Sequence, residues 1–273
     1  MILKELIQKL KKGNVSKELL AKIRTTYPDL YLAYLIKLRH DNDYNMEIVV
    51  DGPRGVGKSF YSYSVLEKFY RLIRKDIDTL KKSFIAPAPI NIIEERNEFE
   101  FIKCQIEEAL NDDNVHLIVF DEAGDYLFAY DVMKKESKQF VKILRKIRKY
   151  QKSFIFVLPH ISELNKAIRE RSFNMWIHGL WRTKEYSYFV VLRGLDQKVE
   201  FEYSFEHVKY ALERYGIEGW FRNKYYLYSF KFKYDPKGYK RYKIILRRKQ
   251  EDVLIKLCYD DFHKKLEKRL ESL

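Results

Sequence analysis

An α/β fold is predicted for this chain. It is a three-layer sandwich with a mostly parallel central sheet, a helical segment before it and an α+β appendage after it. Three observations lead there. Short apolar runs without polar alternation recur between residues 46 and 192, as strands buried on both faces do. Helical runs separate most of them, and crossover helices are how parallel strands are joined. A glycine-rich turn also falls between the first strand and the first helix of that region, a strand–loop–helix order with a chemical meaning. At 273 residues the chain can bury a sizeable core.

The elements follow in order. Residues 1–45 read as short helices. Leu3, Leu6, Ile7 and Leu10 recur at helical spacing up to Gly13. Ser16 suits the cap of a second helix, and Pro28 suits the first turn of a third. Residues 46–200 form the core region, with strands expected at 46–51, 83–86, 115–121, 153–158, 175–180 and 186–192. Helices are expected at 59–75, 98–110, 137–150 and 162–171. Residues 201–273 form the C-terminal region. A helix is expected at 205–215, and strands at 224–234 and 239–247 flank Asp235-Pro236-Lys237-Gly238. Asp, Pro and then Gly at the fourth place is a type I turn pattern, so a long basic hairpin is expected, with helix at 251–270.

Composition excludes several classes. The chain is 46% hydrophobic, with 10 Gly, 6 Pro and 2 Cys. It is therefore neither a disordered polyelectrolyte nor a disulfide scaffold. Cys104 and Cys258 lie in no metal-ligand spacing and read as thiols in a reducing cytoplasm, the host's if the chain is viral or plasmid-encoded. No run of about 18 apolar residues occurs, so no membrane helix is expected. The net charge of +14 is concentrated in two places. Residues 222–249 hold eleven Lys/Arg and one acid, Asp235, and residues 134–152 hold nine and one acid, Glu136. A near-neutral body with two basic zones points to polyanion-facing surfaces.

Chemistry enters at Gly52-Pro53-Arg54-Gly55-Val56-Gly57-Lys58-Ser59, which fits GxxxxGK[ST]. Such a match arises by chance in about one chain in a hundred of this length at average composition, and here it also follows a strand and opens a helix. This is the phosphate-binding loop of P-loop NTPases. Its glycines let backbone N–H groups turn toward phosphate oxygens, and the helix N-terminus adds positive partial charge. Lys58 is expected on the β- and γ-phosphates of ATP, Ser59 on Mg²⁺, and Phe60 beside the nucleotide. Arg54 can approach a phosphate. The strand Val115-His116-Leu117-Ile118-Val119-Phe120 delivers Asp121-Glu122 to its carboxyl end, where parallel sheets bind ligands. Asp121 is expected in the Mg²⁺ shell and Glu122 as the base that activates water.

An acid directly after the metal-binding Asp resembles the additional-strand ATPases, among them the AAA+, RecA-like and FtsK–HerA-like groups. The resemblance implies a further strand between the loop strand and the Asp-Glu strand. A second stretch is more particular. It runs from Leu144-Arg145-Lys146-Ile147-Arg148 through Ser153-Phe154-Ile155-Phe156-Val157-Leu158 to Pro159-His160-Ile161 and Ile168-Arg169. This run resembles the FtsK–HerA superfamily, and within it Zot-type ATPases and viral genome-packaging ATPases, over residues 46–185. His160 stands where that family often has Gln, and can still donate to a γ-phosphate or a water. Zot-type proteins usually carry a membrane segment, which is not found here. A homo-oligomeric ring is implied, with an arginine finger from the neighbour. Arg169 and Arg171 are the first candidates, then Arg182 and Arg193.

The expected hairpin interleaves aromatic and basic side chains. Lys231, Lys233, Lys237, Lys240, Arg241 and Lys243 are expected on nucleic-acid phosphates, while alternation turns Phe230 and Phe232 inward. The reading is an ATPase moving DNA, of translocase or packaging type. An AAA+ initiator or remodeller is the alternative. A small-molecule phosphotransferase and a non-hydrolysing, nucleotide-gated binding module stand behind it.

Overall fold

The computed structural model describes residues 3–13, 15–87, 98–123, 151–163, 173–193 and 226–271. Three short helices open the chain: α1 (Leu3–Lys11), α2 (Lys17–Thr26) and α3 (Pro28–His40). Ser16 caps α2 by accepting from the Leu19 N–H at 3.2 Å. Pro28 stands in the first turn of α3, where its missing N–H costs nothing. Strand β1 (Glu47–Asp51) leads through the glycine loop into α4 (Lys58–Ile73). Then come α5 (Ile77–Lys82), β2 (Phe84–Ile85), α6 (Glu98–Asn111), β3 (Leu117–Phe120) and β4 (Ser153–Val157). A 3₁₀ turn covers Ile161–Glu163, followed by β5 (Met175–Arg182), β6 (Tyr186–Arg193), β7 (Tyr226–Lys233) and α7 (Pro236–Glu271).

One seven-stranded sheet runs in the order β2-β3-β4-β1-β5-β6-β7. Neighbours from β2 to β5 are parallel, and β5-β6-β7 are antiparallel. All six strands expected in the core region are present. β4 lies between β1 and β3, the inserted strand that the resemblance implied.

Period-2 alternation divides the core into two layers. Ile48, Val50, Leu117 and Val119 face a cluster built with α1, α3 and α4. Val49, Ile118 and Phe120 face a cluster that includes Phe101, Ile102 and Ile106 of α6. This is the expected three-layer sandwich. The opening helices are anchored through Asp29, which is buried and accepts from the Ser64 hydroxyl of α4 at 2.5 Å and from the Lys68 ammonium. A buried carboxylate stays charged only when paired in this way.

The C-terminal region differs from expectation. Residues 226–233 are a strand, but 239–247 are not its hairpin partner; they belong to α7, and β7 pairs with β6 instead. Asp235 is a helix cap, its Oδ1 accepting from the Lys237 N–H at 3.0 Å, with Pro236 at the first helical place. Asp-Pro serves a turn and a helix start equally well. Spacing settles which forms, because buried Gly238, Tyr242, Ile245, Lys249 and Val253 share one helical face. The helices expected at 137–150 and 205–215, most of the one at 162–171, and Arg169 and Arg171 lie outside the described residues.

One pair in this frame predicts a pH response. The rings of His40, ending α3, and His116, entering β3, lie 4.3 Å apart. Burial, with His40, Lys75 and Lys152 nearby, pushes the His116 pKa from its ordinary 6.5 down to about 4. The folded chain thus keeps His116 neutral where the unfolded chain already binds a proton. Stability is full above pH 6.5 and declines as pH falls toward 4. With His116 only partly buried, we expect a loss of about 1–2 kcal/mol. Urea unfolding at pH 7 and 4.5 measures it. His116→Gln should flatten the difference, and an undiminished difference in that variant would assign the acid response elsewhere.

Candidate nucleotide site

The site is built at the carboxyl end of β1. Gly52, Gly55 and Gly57 have φ of +127°, +80° and +96°, conformations that suit glycine. At Gly52 a Cβ would stand 2.4 Å from the Gly179 carbonyl oxygen, so β5 crowds the loop from below. At Gly57 a Cβ would meet the Ser187 hydroxyl of β6 at 2.9 Å. The Gly52 N–H donates to the Pro159 carbonyl at 3.1 Å. Neighbouring strands therefore hold the loop on both sides.

Asp51, fully buried, is the node beneath it. Oδ1 accepts from Trp176 Nε1 at 2.7 Å and lies 2.7 Å from His178 Nδ1, while Oδ2 accepts from the Ile161 N–H at 3.1 Å. The end of β1 is thus tied to β5 and to the turn after β4. Sequence reading took Asp51 only as the end of a strand.

Lys58 is 8% exposed and its ammonium donates to the carbonyls of Gly52 at 2.6 Å and Pro53 at 3.0 Å. Burial lowers its pKa, and the nearby carboxylates of Glu122, Asp51, Asp121 and Glu163 oppose that shift. Ser59, next in α4, lines the same cavity as Asp121, beyond the end of β3. Asp121 is 2% exposed, and its Oδ2 accepts from the Tyr242 hydroxyl of α7 at 3.1 Å. Burial raises the Asp121 pKa, and the nearby Ser59 hydroxyl and the bond from Tyr242 counter it. Burial also raises the Tyr242 phenol, with the Asp121 carboxylate adding to it. Glu122 follows at φ +50°, a left-handed conformation uncommon for a residue with a side chain.

These groups meet in one cavity of about 730 Å³ lined by Arg54, Lys58, Ser59, Phe60, Asp121 and Glu122. The expected loop and acid residues are thus brought together. Gly55 and Gly57 line the same cavity, and Val56 is buried beneath. Pro159 lines it too, and His160 beside it is exposed. Among the arginines, Arg182 reaches the loop, its Nη1 donating to the Gly55 carbonyl at 3.3 Å. Arg193 closes β6.

The expected phosphate-binding cations divide between two elements. Lys231 and Lys233 point outward from β7, opposite buried Phe230 and Phe232, as the alternation required. Lys237 and Lys240 are exposed on the first turns of α7. Arg241 stands 3.4 Å from Glu67 and 4.0 Å from Asp235. Lys243 lines the nucleotide cavity. Sequence reading missed the other wall of that cavity, made by Ser187, Phe232, Tyr234, Tyr239 and Tyr242. Gly179, against Gly52 beneath the loop, did leave a signal, because a lone glycine inside a strand marks a close backbone approach.

Among the described residues no three His, Cys, Asp or Glu side chains gather to hold a metal, and no helix is long and apolar enough to cross a membrane. Ser59 and Asp121 offer a different set, two hard oxygens side by side. That set fits Mg²⁺, which takes few protein ligands and fills its shell with water and substrate phosphate.

The family model of zonular occludens toxin (Zot) matches residues 63–178. Uncharacterized protein B-251 of Sulfolobus spindle-shape virus 1 is 24% identical over 146 residues, 54% of this chain and 56% of that protein. The chain therefore spans little more than half the length of this relative. The N-terminal domain of zonular occludens toxin from Neisseria meningitidis aligns over 72% of this chain and 98% of its own, at 14% identity and TM-score 0.39. The genome packaging NTPase B204 of Sulfolobus turreted icosahedral virus 2, solved with ATP-gammaS, aligns over 55% and 92%, at 11% identity and TM-score 0.37. The Zot match starts after the glycine loop and takes in Asp121, Glu122, β4 and the first half of β5. Across residues 63–178, from within the loop helix to β5, the chain is similar to the Zot family.

Proposed function

We propose that the chain is a Mg²⁺-dependent ATPase that acts on nucleic acid, of the DNA translocase or packaging type. One observation carries this reading: Ser59, Asp121 and Glu122 stand together with Lys58 in the loop's own cavity. A loop that merely turned a corner would need none of these acids. The Lys58 ammonium would move from the Gly52 and Pro53 carbonyls to the β- and γ-phosphates. Ser59 and Asp121 would hold Mg²⁺, which neutralises phosphate charge when bound. Glu122 would take the proton of the attacking water. In a ring, an arginine from the neighbouring subunit, with Arg169 first among the candidates, would face the γ-phosphate.

Nucleic acid is the acceptor favoured by charge. Lys231, Lys233, Lys237 and Lys240 are exposed beside the antiparallel edge of the sheet. Phosphate release with and without single- and double-stranded DNA tests the whole reading. Stimulation by DNA is expected, and turnover indifferent to DNA and to salt would sink it. Changing the four lysines to Ala should weaken DNA binding and lower the salt slope by about 0.9 for each DNA phosphate no longer neutralised, with ATP affinity unchanged. A second reading has one observation behind it. The start of α7 lies along the nucleotide cavity as a helical lid would, which suits an AAA+ initiator or remodeller. Loading of DNA without directional movement in a strand-displacement assay would favour it.

A further inference from the structure

The path of α7 is specific. Its first turns pack on α4, with Tyr239 and Tyr242 against Phe60 and Tyr242 also against Tyr63. Its middle lies on the other helical layer, where buried Lys249 pairs with Glu108 of α6 at 2.9 Å and Gln250 donates to the Pro87 carbonyl at 2.8 Å. Between these anchors the helix passes the metal-side end of the site. There it delivers the Tyr242 hydroxyl to Asp121 Oδ2, with Ser59 in the same cavity. Lys243 comes next in the chain. It lines the cavity with Lys58, Asp121 and Glu122, and its ammonium lies 5.6 Å from the ring centroids of both Tyr239 and Tyr242. Lys243 is itself exposed, so its ammonium can reach a ligand in the cavity, with two aromatic faces and paired carboxylates beside it.

We propose that Tyr242 and Lys243 complete the nucleotide site within the same subunit. Lys243 contacts the terminal phosphate of a nucleoside triphosphate, and Tyr242 positions the Asp121 carboxylate for the metal. This rests on the reading of the loop as an ATP site. It moves Lys243 from the nucleic-acid surface to the nucleotide, and it gives α7 one contact that only a third phosphate supplies. A diphosphate leaves Lys243 without its ligand; a triphosphate bridges α7 to α4.

The test uses the full chain and a fluorescent-nucleotide displacement assay with ATP and ADP, at several Mg²⁺ concentrations. Lys243→Ala should weaken ATP about tenfold and ADP less than about twofold, because only ATP offers the ammonium a charge-assisted partner. Lys243→Arg should retain the preference for ATP. Tyr242→Phe keeps the ring and its packing, so fold and metal-free ATP affinity should hold. Its half-saturating Mg²⁺ should rise about tenfold, as when a ligand-positioning group is removed. Equal weakening of ATP and ADP in Lys243→Ala, or none, would overturn the phosphate contact. Unchanged or tighter Mg²⁺ dependence in Tyr242→Phe would overturn the positioning role. A wild-type chain that binds neither nucleotide would instead remove the ATP reading, and this inference with it.

Discussion

Glu122→Gln is expected to lower ATP turnover by about 10²–10⁴-fold, the range lost when a general base is removed. ATP binding should persist. The amide keeps the size of the side chain, so it keeps the half-buried place beside the loop and the φ of +50° that the chain already tolerates there. What it loses is the ability to accept a proton from water. It also loses a negative charge, and of the carboxylates acting on Lys58, that of Glu122 acts most strongly. Removing an anion from a site that receives a polyanion favours the polyanion. ATP affinity should therefore stay equal or tighten, the opposite of what a damaged loop would show. Phosphate release and nucleotide affinity, measured on one preparation, separate the two cases. Turnover within tenfold of wild type would mean that another group activates the water.

The parts of the site that could be read from sequence are those carried by short contiguous runs. The loop is eight consecutive residues, and Asp121-Glu122 end an apolar run. Both motifs state their own geometry, since a strand end and a helix start lie at fixed offsets. The parallel strands were legible because burial on both faces removes polar alternation. The place of β4 between β1 and β3 was not, because its pairing with β1 joins residues more than a hundred positions apart, and only the family resemblance implied it. Tyr242 could not be assigned at all. No spacing along the chain brings residues 59, 121 and 242 together; the path of α7 does.

The tail shows a different limit. Tyr239-Lys240-Arg241-Tyr242-Lys243-Ile244-Ile245 is rich in residues that favour strands. Tertiary burial overrode that preference, because the face with Tyr242, Ile245 and Val253 could bury itself only as a helix. Lys249 hid the pattern, being counted as charge when its side chain in fact lies buried against Glu108. For the same reason a basic segment was taken as one surface. Much of that charge is exposed but divided, with Arg241 standing against Glu67 and Lys243 lining the nucleotide cavity.

Gly52→Ala is expected to abolish nucleotide binding and to destabilise the fold by about 2–4 kcal/mol, the range for strained or overpacked buried positions. Two costs combine. The residue sits at φ +127°, where a side chain is strained in any setting. Its Cβ would also stand 2.4 Å from the carbonyl oxygen and 2.9 Å from the nitrogen of Gly179. Those are backbone atoms of β5, and β5 cannot withdraw. It is paired in parallel to β1, with Asp51 opposite His178, and in antiparallel to β6. The loop would have to lift instead, which breaks the Gly52 N–H bond to Pro159 and moves the carbonyls that hold Lys58. Gly13→Ala is the control. It shares a positive φ, +78°, but nothing lies within 4 Å of its Cβ, so it should cost only about 1 kcal/mol and leave binding intact. Thermal melting beside nucleotide titration reads both effects, with Gly52→Ala shifted down by about 5–10 °C. If both variants melted alike and Gly52→Ala still bound ATP, the approach to β5 would be incidental. If they part as expected, the shape of the loop depends on Gly179 of the neighbouring strand β5 as much as on the glycines within its own motif.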